Sequence, residues 1–153
     1  MDTQDLHARG LEMRRKMFGR EAVEKRMNAF GAFGEPLQHI INAYAYGDVW
    51  SRTALPPATK SLVMIAMMAA AGRGNELRVH LRGAVKNGCK AEEIQEVLLL
   101  LALYCGIPLA NDAHAAAVEV MKEESEGGLS GRSEAETTCP PMVGTAARIR
   151  SRP

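Results

Sequence analysis

Glu76 and His80 stand four residues apart in the run Asn75-Glu76-Leu77-Arg78-Val79-His80-Leu81-Arg82. That spacing puts two side chains on one face of a helix. A carboxylate beside an imidazole can orient the ring and raise its pKa, and such a pair can serve as a general acid or base. The same spacing also fits a surface ion pair or a histidine satisfied within a core. Trp50-Ser51-Arg52 offers a second combination. Arg can stack on Trp or hold a carboxylate through both arms of its guanidinium. A core Trp with an Arg snorkelling past it uses the same residues. Glu93 and Glu96 are three apart; Glu93 suits a helix start, where the dipole favours an acid, and Glu96 suits a solvated face or a partner Arg.

Other chemistries find no support. The sequence has no Gly-x-Gly-x-x-Gly after a strand, no phosphate-binding loop, no His-Glu-x-x-His and no Gly-x-Ser-x-Gly. His7, His39, His80 and His114 lack metal-ligand spacing, so no metal site is expected. Cys89, Cys105 and Cys139 lie far apart, which suits reduced thiols in the cytosol better than a disulfide framework or a redox pair. A net charge of +1 gives no pull toward nucleic acid or an anionic membrane. The acidic start Met1-Asp2-Thr3-Gln4-Asp5 has no apolar signal region. The longest apolar stretches, 62–71 and 97–103, are too short to span a bilayer. A cytoplasmic location is expected.

The elements that must carry these residues are helices. Aromatics make up 5% of the 153 residues, alternating strand patterns do not occur, and helical periodicity runs through most of the chain. Helices are expected at 4–18, 21–30, from 37 toward 50 with Pro36 in a first turn, 59–71, 76–86, 91–104 and 109–122. Asn75 is the expected N-cap of the helix bearing His80. The helix at 59–71 is apolar nearly all round, so burial is expected, with Met64, Met67 and Met68 filling core. One domain over 1–124 and a flexible tail over 125–153 complete the expected organisation.

These segments together resemble one family. Asp48-Val49-Trp50-Ser51-Arg52 is similar to its vWsRpgL segment and Thr59-Lys60-Ser61-Leu62 to tRsLv. Glu76-Leu77-Arg78-Val79-His80-Leu81-Arg82-Gly83-Ala84 is similar to eLrlHvrgA. Asn87-Gly88 with Glu92-Glu93-Ile94-Gln95-Glu96-Val97, and Tyr104-Cys105-Gly106-Ile107-Pro108, resemble two further segments in the same order. The chain is thereby identified as a member of the carboxymuconolactone decarboxylase family. The resemblance implies an all-α helical bundle of the alkylhydroperoxidase D-like type, assembled as a homo-trimer or hexamer through apolar helices. It implies a lyase that converts 4-carboxymuconolactone to the β-ketoadipate enol-lactone in protocatechuate breakdown, without a cofactor.

That lactone carries two carboxylates, so its site needs cations. His80, oriented by Glu76, is the expected proton or oxyanion donor. Arg52, Arg73, Arg78 and Arg82 are the candidate anchors, and Trp50 and Tyr104 the candidate aromatic contacts. A thiol-peroxidase branch of the same fold uses Cys-x-x-Cys before the histidine; Arg73 and Glu76 occupy those positions here, so its nucleophile is missing. Lys60 for Arg, Thr53-Ala54 for Pro-Gly, Cys105 for Ala and Lys90 for Thr depart from the family pattern. They leave open a different small acidic substrate, or a helical oligomer without catalysis.

Overall fold

The computed structural model describes residues 2–130. They form seven α-helices and one π-helical segment, and no strand occurs among the described residues. The helices are α1 (Thr3–Phe18), α2 (Arg20–Met27), α3 (Gly31–Ile40), α4 (Pro57–Ala70), α5 (Gly74–Lys86), α6 (Ala91–Cys105) and α7 (Ile107–Ser130). The π segment, Ile41–Trp50, continues directly from α3. Local chemistry sets most of these boundaries. The Asp2 side chain accepts from the Gln4 N–H at 3.3 Å and caps α1. Gly19, at φ 85°, takes a backbone conformation that other residues rarely adopt and turns α1 into α2. Pro57 fits the first turn of α4, where its missing N–H has no partner to lose. The Lys90 N–H donates to the Glu93 carboxylate at 2.7 Å, so Glu93 does hold a helix start.

Two apolar clusters share α5. The larger is built by α4–α7 around Ile65, Leu81, Ile94, Leu98 and Val120. The smaller joins α1, α2 and the π segment through Met17, Phe18, Val23 and Tyr46, with Val79 of α5 packed against it. Motif residues stitch the elements together. Asn87 donates to the Ser61 hydroxyl at 2.9 Å, and Cys89 to the Ala58 carbonyl at 3.3 Å. The Lys60 ammonium donates to the Val49, Trp50 and Arg52 carbonyls. It thereby caps the C-terminal end of the π segment, where a cation is favoured.

The helical reading holds, with four corrections. Pro36 lies inside α3, not in its first turn, because the helix starts at Gly31; the ring forfeits one bond to the preceding turn. Asn75 is not the cap of α5, since Gly74 is already helical and Arg73 takes the cap position. The helix at 59–71 is not buried all round, and Met67 is surface rather than filler: Val63 and Met67 are exposed. Val63 lies with Leu100 and Tyr104 along an apolar groove between α4 and α6. Finally, α7 extends through Glu124 to Ser130, so 125–130 are helical; 131–153, the rest of the expected tail, lie outside the described residues.

The closest approach between elements is α1 on the π segment. A Cβ on Gly10 would fall inside the Asn42 carbonyl, and one on Gly47 inside the Leu6 carbonyl. Backbone, not a movable side chain, occupies both spaces. Gly10→Ala and Gly47→Ala are each expected to cost about 3 kcal/mol, the upper end of overpacking penalties, read as a fall in the midpoint of urea unfolding.

Candidate active site

Side chains from α1, α2, α3, the π segment and α5 enclose a cleft of about 400 Å³. His80 and Glu76 line it from α5, Tyr46 from the π segment, and Arg14 and Arg26 from α1 and α2. Phe30, Leu37, Ile41 and Val79 supply apolar wall. The imidazole of His80 lies parallel to the indole of Trp50, with centroids 6.4 Å apart and planes 7° apart. Trp50 stacks in turn on Tyr46 at 5.9 Å. Phe18 meets His80 and Tyr46 edge-on at 6.2 and 5.9 Å. The ring is thus fixed by aromatic packing from one side and by its own helix from the other.

His80 does not have the electrostatics that the Glu76 spacing suggests. Burial pushes its pKa below the ordinary 6.5, the Arg26 charge pushes it further down, and Glu76 raises it by less than these remove. The expectation that Glu76 keeps the ring partly protonated is therefore corrected. Glu76 stays exposed on the first turn of α5 and acts on His80 only as a nearby charge. The net shift favours the neutral imidazole.

The cleft's positive charge comes from two residues that sequence reasoning missed. Arg14 is only 4% exposed. Its Nη1 donates to Gln38 Oε1 at 3.0 Å and to Asn42 Oδ1 at 2.5 Å, both neutral, and its guanidinium lies 5.5 Å from the Tyr46 ring centre. Asn42 is held from behind by His7 Nε2 at 3.3 Å. Arg26 lies half-buried over Phe18, at 5.4 Å from the ring centre. Among the described residues neither arginine forms an ion pair with an acid. Burial lowers the pKa of both, the direction expected of cations without a counter-charge.

The expected anchors sit elsewhere. Arg52 pairs with Asp48 at 3.1 Å in solvent, which raises its pKa through that hydrogen bond. Arg78 pairs with Glu119 at 2.9 Å and Arg82 with Glu123 at 2.7 Å across α5 and α7. The Arg82 charge reaches Arg26 but its side chain does not line the cleft. Arg73 and Arg78 border a separate depression with Asp112. Tyr104 is 84% exposed on the α4–α6 groove. Within this chain, then, His80, Glu76 and Trp50 come together, and Arg52, Arg73, Arg78, Arg82 and Tyr104 do not join them. A signal for the missing pair was present. Arg14 falls on the stripe of Leu11 and Phe18, and Arg26 on that of Val23 and Phe30, where a charge interrupts an apolar face.

Among the described residues, Cys89 is buried, Cys105 is exposed, and neither is paired. No three of His, Cys, Asp and Glu converge there as metal ligands. No helix among the described residues is long and apolar enough to cross a membrane.

The family model described as carboxymuconolactone decarboxylase matches residues 35–119. A 4-carboxymuconolactone decarboxylase of Acinetobacter baylyi is 39% identical over 123 residues, covering 80% of this chain and 92% of that protein. A nitrosuccinic acid decarboxylase of Metarhizium robertsii is 34% identical over 113 residues, covering 71% of this chain and 79% of its own. The matched region contains His80, Glu76 and Trp50, and the chain belongs to the carboxymuconolactone decarboxylase family.

Proposed function

We propose that the protein is a carboxy-lyase that decarboxylates 4-carboxymuconolactone to the β-ketoadipate enol-lactone, with His80 at the reacting end of the cleft. The observation that carries this reading is the placement of the motif histidine in one cleft with two guanidiniums that form no ion pair with an acid among the described residues. The relatives support it, since both are named decarboxylases and both names denote small acids. The second name keeps a different small diacid as the alternative substrate. A cytoplasmic location and a homo-trimer or hexamer belong to the same proposal. Exposed Leu103 and Tyr104 on α6 and Phe33 on α3 support assembly through apolar helices.

The reaction breaks the bond between the ring carbon and one carboxylate carbon. Carbon dioxide leaves without the bonding pair, which moves through the ring double bond onto the lactone carbonyl oxygen. The resulting dienolate then takes up one proton at carbon from a water molecule that enters after CO2 has left. The ring is itself the electron sink, so the protein's tasks are binding, exclusion of water and stabilisation of the new oxyanion. The electrostatics favour one of the two roles open to His80. A ring held neutral by burial and by Arg26 is a poor store of a proton, but its remaining N–H is a good donor to an oxygen that gains charge. Trp50 and Phe18 hold that ring in place, and Lys60 holds the end of the π segment that carries Trp50.

The deciding assay supplies the purified protein with enzymatically generated 4-carboxymuconolactone and follows CO2 release without added metal or cofactor. Turnover is expected, and His80→Ala should lower kcat roughly 10²-fold, the scale for losing one oxyanion donor. A folded protein with no turnover would leave the family's fold with another diacid as substrate.

The pH behaviour follows from the same analysis. The His80 ring signals in NMR should titrate below 6.5. Arg26→Gln removes a charge that lowers the pKa and should raise it; Glu76→Gln removes the charge that raises it and should lower it further. A neutral N–H donor also predicts that kcat/KM stays level between about pH 6.5 and 8. A tenfold fall per pH unit across that window would return His80 to the role of proton donor.

A further inference from the structure

We infer that Arg14 and Arg26 form the binding site for the carboxylate that the substrate keeps, while the departing carboxylate lies against the apolar wall of the same cleft. The inference rests on the decarboxylation reading for its division of roles, and on the structure for the anion site itself. Arg14 is almost fully enclosed, yet every partner of its guanidinium is neutral. No fully buried side-chain nitrogen or oxygen among the described residues lacks a hydrogen bond, so the unbonded arm of Arg14 is open to the cleft. Gln38 and Asn42, themselves buried, hold the bonded arm, Nη1, and so fix the plane of the guanidinium. Arg26 faces the same space from α2, and Glu76 is the one acid among the lining residues. A buried cation without a counter-charge is costly. A carboxylate entering the cleft removes that cost twice over.

Chemistry decides which carboxylate this is. The departing group surrenders its negative charge as it becomes CO2. A guanidinium paired with it would hold the ground state more tightly than the transition state and raise the barrier. The retained carboxylate keeps its charge throughout, so cations on it bind ground and transition states alike. The arginines belong on the retained group, and Phe30, Leu37, Ile41 and Val79 offer the departing group a desolvating surface. Both arginines precede residue 35, where the family match begins. The anion specificity is thus carried by α1 and α2, separately from the motif that carries His80.

The test is a split between KM and kcat, backed by a binding measurement that needs no turnover. For 4-carboxymuconolactone, Arg26→Gln should raise KM roughly 10- to 100-fold, as for loss of a charge-assisted contact, and leave kcat within about threefold. Arg26→Lys should fall between the two, and Arg20→Gln, exposed on the same helix, should match the wild type. Glutarate, an unreactive dicarboxylate, should alter the fluorescence of Trp50, the single Trp of the chain. Its affinity should fall at least tenfold in Arg26→Gln and in Arg14→Lys. A lower kcat with unchanged KM in Arg26→Gln would overturn the assignment. So would equal glutarate affinity in wild type and Arg26→Gln, or no glutarate binding by the wild type at millimolar concentration. If the wild type binds glutarate through Arg26 but does not turn over the lactone, the anion site stands and the named substrate falls.

Discussion

Backbone meets backbone where α1 crosses the π segment, and the cleft depends on that contact. Gly10 and Gly47 leave no room for a side chain on either element. The two lie so close that Arg9 of α1 donates directly to the Gly47 carbonyl, at 2.8 Å from its Nε. At that separation Arg14, one turn further along α1, can reach Asn42 and lie over Tyr46. Asn42, Tyr46 and Trp50 follow at four-residue intervals along the π segment, so the contact that seats Arg14 also sets Trp50 against His80. Long π-helical stretches are rare and concentrate at functional sites. Here the segment carries the aromatic stack, and its C-terminal carbonyls are closed by Lys60 rather than left to solvent.

Charge divides the arginines into two populations with different consequences. Arg52, Arg78 and Arg82 each have a carboxylate within 3.1 Å in exposed positions, where such pairs contribute little to stability and have no spare charge for a ligand. Arg14 and Arg26 have aromatic faces and amides instead of acids. Burial makes both charges costly, and the Arg26 charge adds to the burial that lowers the His80 pKa. On the proposed reading, an incoming carboxylate supplies the counter-charge that Arg14 and Arg26 lack among the described residues.

What the sequence made legible is the scaffold and the reacting end. Helical periodicity located all seven α-helices to within a few residues, except at α3 and α7. The spacing of Glu76 and His80 puts both on one face of α5, and both line the cleft. The sign of their interaction was not legible, because desolvation of His80 and the approach of Arg26 are tertiary facts that outweigh a neighbour four residues away. The π winding was hidden for a related reason: Ile41–Trp50 carries an ordinary helical composition, and its register is imposed by packing on α1. The arginine anchors were sought beside the motif, where arginines are plentiful. Arg52, Arg78 and Arg82 have acids within reach, Asp48 on the same helical turn and Glu119 and Glu123 on α7, 41 residues further along the chain. Arg14 is set apart by its burial and Arg26 by its place on the cleft wall, and both are tertiary facts.

The division between the matched region and the segment before it bears on how one scaffold can serve different acids. The chemistry common to decarboxylation without an external electron sink is local: a donor aimed at the oxygen that gains charge, and a surface that favours loss of the departing carboxylate. On the proposed reading His80, Trp50 and the apolar wall from Leu37 to Val79 serve that need, and all lie within 35–119. The position and number of the substrate's remaining anions vary with the substrate, and the residues that face them here are on α1 and α2. These helices touch the rest of the protein through the glycine crossing and the Phe18–Tyr46 cluster rather than through the α4–α7 core. A change of anion geometry can therefore be met by exchanging side chains on α1 or α2 without moving His80, provided that Gly10 and Gly47 are kept.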